Sequence, residues 1–210
     1  MNFWNQQFSS TEFKYGKQPN RFVQDQAVRL SPCSKVLLPG DGEGRNSVWI
    51  AQQGHQVVAM DQSAVGLQKA QDLAAERGVS IHTIEANLED WIPEPASFDA
   101  VIISYLHLPP DIRPQAHRRL AQALVPGGWF ILEVFNPRQL EYSSGGPKDL
   151  ALLYTPEILR SDLAADATLG MQEKVAWHGE VQLEEGQGHR GPAYITRYIA
   201  QRGFTQPSHY

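Results

Sequence analysis

The chain has 210 residues, 41% hydrophobic and 20% charged, with a net charge of −5 and a pI near 5.8. That length and composition suit one soluble domain, 1–210, with a sizeable core. No Lys/Arg-rich block offers itself to a nucleic-acid backbone, no run reaches the ~20 apolar residues of a membrane span, and the single cysteine excludes an internal disulfide.

Residues 1–30 hold aromatics (Phe3, Trp4, Phe8, Phe13, Tyr15, Phe22) among polar groups, broken by Gly16 and Pro19. The opening Met-Asn-Phe-Trp-Asn-Gln-Gln lacks the basic-then-apolar order of a signal peptide, so a cytoplasmic location is expected. Phe22, Val23, Ala27 and Leu30 have helical spacing over 20–30. The segment cannot form a core alone and is expected to cap the sheet edge or the cofactor mouth. Cys33 reads as a semi-buried loop residue.

A first strand is expected over Lys35–Leu38, then a glycine loop, then a helix over 46–53 ended by Gly54. A second strand, 56–60, runs up to Asp61. Ser63 suits the cap of a helix over 64–77 closed by Gly78. Further strands are expected over 80–84 and 100–104, the latter a continuous apolar run of a strand covered on both faces. A helix starting near Asp111 leads through Pro126-Gly-Gly128 into a strand over 129–134. A Gly/Pro/Ser-rich loop, 136–150, precedes a helix opened by Thr155-Pro156. Alternating segments 174–183 and 193–200, with 184–191 as connector, predict a hairpin. The order implies an α/β, Rossmann-like doubly wound sheet, mostly parallel, with seven strands and an antiparallel finish.

The glycines run Gly40-x-Gly42-x-Gly44, not Gly-x-Gly-x-x-Gly, and Arg45 stands where a dinucleotide fingerprint needs its third glycine. Arg45 would crowd an approaching pyrophosphate, so a cofactor without phosphate fits better. Asp61 follows Gly40 by 21 residues, the spacing of a carboxylate that accepts from two ribose hydroxyls. Gly40, Asp41 and Gly42 are expected to form the cofactor floor, with helix N-terminal N–H groups facing the negative end of a ligand. Gln62 and Ser63 could line the adenosine. Ser104-Tyr-Leu-His107-Leu-Pro-Pro110 ends a strand on the ligand-binding edge. His107 could orient a substrate, take a proton or be a structural donor.

The chain resembles the class I S-adenosylmethionine (SAM) methyltransferases, and more narrowly their tellurite-resistance/thiopurine-type branch. The resemblance is carried by Tyr15-Gly-Lys-Gln-Pro-Asn20, Gly40-Asp-Gly-Glu-Gly-Arg-Asn46, Asp61-Gln-Ser63, His107-Leu-Pro-Pro110 and Pro126-Gly-Gly128. It implies SAM as cofactor and S-adenosylhomocysteine as product. It adds Tyr15, Asn20 and Asn46 to the cofactor side, and Asn87 and Leu88 near the adenine; Asn87 also suits an Asx turn. It makes Tyr142, Lys148, His189 and Arg190, on loops 136–150 and 184–191, acceptor-side residues. The family often has an acid where this chain has Leu38; Asp41 or Glu43 could replace it.

The expected reaction is methyl transfer to a small-molecule S, O, N or chalcogen nucleophile, detoxifying if the acceptor is tellurite or thiopurine-like. Neither nucleic acid nor membrane is an expected partner, and a monomer or weak homodimer is expected. Two alternatives stay open: a non-catalytic SAM-binding regulatory module, and a nucleotide-dependent oxidoreductase. No histidine has zinc-site spacing, so no metal is expected, and no Gly-x-Ser-x-Gly elbow supports a hydrolase.

Overall fold

The computed structural model describes residues 3–204; positions 1 and 2 of the expected N-terminal cap lie outside them. A short helix α1 (Phe3–Gln7) and α2 (Arg21–Gln26) precede β1 (Lys35–Pro39). Then follow α3 (Arg45–Gln52), β2 (Gln56–Asp61), α4 (Ala64–Glu76), β3 (His82–Glu85) and β4 (Phe98–Ser104). The second half is α5 (Arg113–Gln122), β5 (Leu124–Phe135), α6 (Pro156–Ala164), β6 (Gln172–Glu185) and β7 (His189–Gln201).

The seven strands form one sheet in the order β3-β2-β1-β4-β5-β7-β6. β1 to β5 pair in parallel, and β7 pairs antiparallel with both β5 and β6. Alternation along β1 divides the core between two faces. Val36 and Leu38 pack with Ile50 of α3 and with Phe22 and Val23 of α2. Leu37 packs on the other side with Leu120 of α5 and Leu159 of α6. Helices therefore cover both faces, and the ends of β1, β2 and β4 open on one edge.

Local signals account for most boundaries. The Ser63 hydroxyl accepts from Gly66 N (3.0 Å) and starts α4; Thr155 does the same for α6 from Ile158 N (3.4 Å). The helix after Asp111 begins two residues late, at Arg113, without a side-chain cap. Pro126-Gly-Gly128 lies within β5, which starts at Leu124 and shifts register against β4 between Phe98 and Ala100. Cys33 is exposed, not semi-buried, and sits at φ +59°.

The expected connector 184–191 is mostly strand. β6 runs to Glu185 and β7 starts at His189, with Glu185 opposite His189. A short turn between them reaches back to the N-terminal segment: Gln187 N and Gly188 N both donate to Lys14 O (3.1 and 2.9 Å). A Cβ on Gly188 would collide with the Tyr15 ring, so glycine permits this contact.

Gly44 shows why the loop needs its third glycine. It caps α3 at φ +88°, and a Cβ there would meet the Ala70 backbone at 2.6 Å. Its role is the close approach of α3 and α4. Gly44→Ala should destabilise the fold by about 2–4 kcal/mol through left-handed strain and overpacking, read as a fall in the urea midpoint. An unchanged midpoint would refute this account of the loop.

Candidate functional site

A cavity of about 660 Å³ opens at the C-terminal ends of β1, β2 and β4, the edge where parallel sheets bind ligands. One end is built from the glycine loop and Asp61. Gly40 N and Asp41 N both donate to Met60 O (2.7 and 3.2 Å), tying the loop to β2. The Asp61 carboxylate accepts from Gly42 N (2.8 Å) on one oxygen and Ser63 N (2.9 Å) on the other. Burial pushes its pKa up while these N–H donors pull it back. Its position is fixed by two main-chain bonds, and each oxygen keeps a lone pair for a further donor. Gln62, Asn87, Leu88 and Ser104 line the same cavity. Asn87 also makes the Asx turn, accepting from Glu89 N (3.1 Å).

Asp41 lines the cavity, with its carboxylate engaged by Ser47 at the start of α3, through N (3.3 Å) and the hydroxyl. Burial raises its pKa to about 7, against the Ser47 hydrogen bonds and with help from neighbouring Asp61. One first-turn N–H of α3 is thus already taken. A cation, Arg45, reaches both Asp41 and, 5.9 Å away, the Tyr15 ring; the sequence reading treated it only as a steric obstacle. It is buried and lines the cavity; Nη2 donates to Glu185 (3.0 Å), while Nη1 is buried without a partner. The Ser104 hydroxyl is also buried and unpartnered. An anchored carboxylate at one point and spare buried donors at others fit a ligand with a diol and an anionic group, as SAM has. Leu38 lines this end, and Glu43 does not stand in for the missing acid: it pairs with Lys69 and accepts from Lys14 N (2.8 Å).

Two cofactor-side expectations, Asn20 and Ser63, lie off the cavity, and a third, Asn46, lines it with its side chain engaged. Asn20 is behind the cavity wall. Its amide donates to Glu133 (2.6 Å) and Glu185 (2.8 Å), and its carbonyl caps α2 at Val23 N (2.9 Å). Ser63 is off the cavity too, capping α4 and donating to Asn5 (2.7 Å). Asn46 does line the cavity, but its carbonyl holds Asn20 N (2.8 Å).

The other end is aromatic. Tyr15, Tyr105, His107, Phe135 and His189 line it together. The His189 ring lies 4.4 Å from both Tyr15 and Tyr105 and 5.2 Å from Phe135. Tyr105 was expected only as part of the segment Ser104–Pro110 at the ligand-binding edge, and Phe135 not at all. The signal for Tyr105 was its place one residue beyond the end of β4, where a left-handed φ of +55° turns the chain. Its hydroxyl donates to Glu133 (2.9 Å).

The two histidines differ. His107 Nδ1 lies 2.6 Å from Leu152 O, which fixes it as the donor, and Nε2 accepts from Phe135 N (3.4 Å). Burial lowers its pKa to about 4, so it is neutral at pH 7. His189 Nδ1 lies 3.1 Å from Glu185, a carboxylate, and so donates to it. Burial lowers the pKa of His189, opposed by Glu185.

Tyr142 and Arg190 do not line the cavity. Tyr142 donates to Glu180 (2.7 Å) on the outer surface. Arg190 is exposed because neighbours in a strand face opposite sides, and His189 takes the inward position. Lys148 reaches the rim, its ammonium exposed and donating to Tyr142 O (3.2 Å). Among the described residues, no three His, Cys, Asp or Glu side chains are grouped to hold a metal, and no helix is long and apolar enough to cross a membrane.

Residues 36–128 match the family model of a methyltransferase domain. A 2-heptyl-1-hydroxyquinolin-4(1H)-one methyltransferase of Mycobacteroides abscessus is 29% identical over 53% of the chain and 51% of its own length. A carboxy-S-adenosyl-L-methionine synthase of Pseudomonas putida is 33% identical over 40% of the chain and 36% of its own length. The chain spans about half the length of the curated relatives it matches, or less. A structure from work on converting a disulfide bond into a thioacetal group during echinomycin biosynthesis shares the fold, with TM-score 0.76 at 17% identity over 97% of this chain and 90% of that one. TehB from Haemophilus influenzae does so with TM-score 0.68 at 16% identity over 95% of this chain and 66% of that one. The family match falls on the half-sheet that carries the glycine loop and Asp61: over 36–128 the chain is similar to a methyltransferase domain, and it shares its overall fold with these solved structures over nearly its whole length.

Proposed function

We propose that this protein methylates a small, largely planar acceptor carrying a nucleophilic O, S, N or chalcogen atom. The observation that carries the reading is a single chamber with two unlike ends. Asp61 lies at one, a box of Tyr15, Tyr105, Phe135, His107 and His189 at the other, and Arg45 between them, near Asp41 and over the Tyr15 ring. Bound SAM supplies an electrophilic methyl group on a sulfonium. Asp61 holds its ribose hydroxyls, and Arg45 Nη1 and the Ser104 hydroxyl satisfy polar atoms along it. Asn87 and Leu88 border the adenine.

The aromatic rings favour a flat apolar acceptor and also attract positive charge near the sulfonium. The relative named for a hydroxyquinolone substrate supports a heteroaromatic acceptor, and a detoxifying methylation of such a compound fits this chamber. Catalysis rests mainly on in-line positioning in a site covered by Trp4, Phe8 and Tyr15 from the N-terminal segment. His107 orients, because both ring nitrogens are engaged and its basicity is low.

Calorimetry with SAM and S-adenosylhomocysteine tests the cofactor end. Wild type should bind both, and Asp61→Ala should weaken binding by roughly 10–100-fold, the loss of charge-assisted bonds to two hydroxyls. Absence of binding to the wild type removes the proposal.

Asp41 gives a pH prediction for the free protein. Its folded pKa of about 7 lies above the ordinary 3.8, so the native state retains a proton that the unfolded chain has released. That contribution is greatest below pH 4 and is lost as pH rises to about 7. Asp41→Asn should therefore gain about 1–2 kcal/mol on wild type between pH 5 and pH 8, cavity water screening the rest. Urea curves that keep a constant offset at both pH values would contradict this.

A further inference from the structure

The geometry points to His189, held by Glu185, as the base that takes the acceptor's proton during methyl transfer. The inference rests on the methyltransferase reading and narrows its substrate to a nucleophile that arrives protonated, as an O–H, N–H or S–H. Glu185 and His189 face each other across the β6–β7 turn. Donation from Nδ1 to the carboxylate leaves the Nε2 lone pair free in the neutral ring. Nε2 makes no hydrogen bond among the described residues and is not among their sealed, unpartnered atoms, while the ring borders the cavity. This is the arrangement of a general base whose tautomer is set by a carboxylate.

The carboxylate is fixed in turn. Asn20 donates to its Oε1 (2.8 Å) and Arg45 to its Oε2 (3.0 Å), beside His189. Burial pushes the Glu185 pKa up, but His189 and Arg45 outweigh it and hold the value at about 2. The group stays ionised and cannot compete with Nε2 for the proton. The other charged and titratable groups around the ring are Lys14, Arg45, Tyr15, Tyr105 and His107. Burial, with the two cations in support, favours the neutral ring, and the two phenols, both raised by burial, stay protonated. His107 is no rival, because its Nε2 accepts from Phe135 N.

In the step, the acceptor's proton passes to His189 Nε2 while its lone pair forms the bond to the methyl carbon. The methyl–sulfur bond breaks with its electron pair on sulfur, leaving a neutral thioether. The imidazolium is paired with Glu185 and returns the proton to solvent.

Two measurements test this. Imidazole ¹⁵N spectra of the full chain saturated with S-adenosylhomocysteine should show His189 as the Nδ1–H tautomer at neutral pH, assigned with His189→Gln. Glu185→Gln should lower its titration, because the carboxylate that stabilises the imidazolium is gone. An Nε2–H ring, or a titration indifferent to Glu185→Gln, overturns the proposal without any need for turnover. The second measurement compares 2-naphthol, a neutral phenol, with 4-nitrobenzenethiol, a thiolate at pH 7. His189→Gln should reduce kcat for naphthol at least ~100-fold, the worth of a general base, and leave the thiolate within roughly threefold. Glu185→Gln, which keeps the ring, should act in the same direction. Equal losses on both acceptors would make His189 a wall of the pocket and overturn the proposal. Failure of the wild type to bind SAM would instead remove the methyltransferase reading beneath it.

Discussion

Two carboxylates, Glu133 and Glu185, are held in the interior by one amide, Asn20, and by two guanidinium groups. Arg45 donates to Glu185, and Arg197 to Glu133 (2.6 Å). Asn20 spans both carboxylates, and the Tyr105 hydroxyl adds a third donor to Glu133. Ions removed from water are tolerated when their lone pairs are filled and their charges offset. Here two negative groups meet two positive ones. The network joins the N-terminal segment, α3, β5 and the final hairpin, so the aromatic end of the chamber takes its shape from it.

That dependence separates what could be read in the sequence from what could not. The glycine loop, Asp61, the caps at Ser63 and Thr155 and the apolar run at 100–104 are local patterns with local causes, and they place the parallel half of the sheet. The antiparallel finish was also visible as alternation. The misplaced residues have partners distant in sequence. Asn20 looked like a cofactor contact because it ends a motif, yet it serves two carboxylates 113 and 165 residues away. Arg45 looked obstructive because its counter-ion, Glu185, lies 140 residues on. Arg190 and His189 looked equivalent until the connector proved to be strand, where neighbours face opposite ways.

The two ends of the chamber solve different physical problems. Around Asp61 the main chain does the work: loops after β1 and β2 each supply an N–H, so the acid is placed by sheet geometry. Around His189 the work falls to side chains from remote elements. On the proposed function, a cofactor end set by the main chain and an acceptor end built from replaceable rings would let one fold take different nucleophiles while keeping one methyl donor.

The clamp of the hairpin turn on Lys14 O gives the site a place in time. A ribosome releases the glycine loop and Asp61 well before Glu185 and His189, which follow Asp61 by more than 120 residues. Until they emerge, Arg45 lacks its carboxylate, Asn20 has only Glu133, and Tyr15 lacks the His189 ring. Contacts of such long sequence separation close late and slowly. The nascent chain thus completes its cofactor-side scaffold first. Its reaction chamber closes when the last two strands dock, joining early and late segments of the polypeptide at one spot.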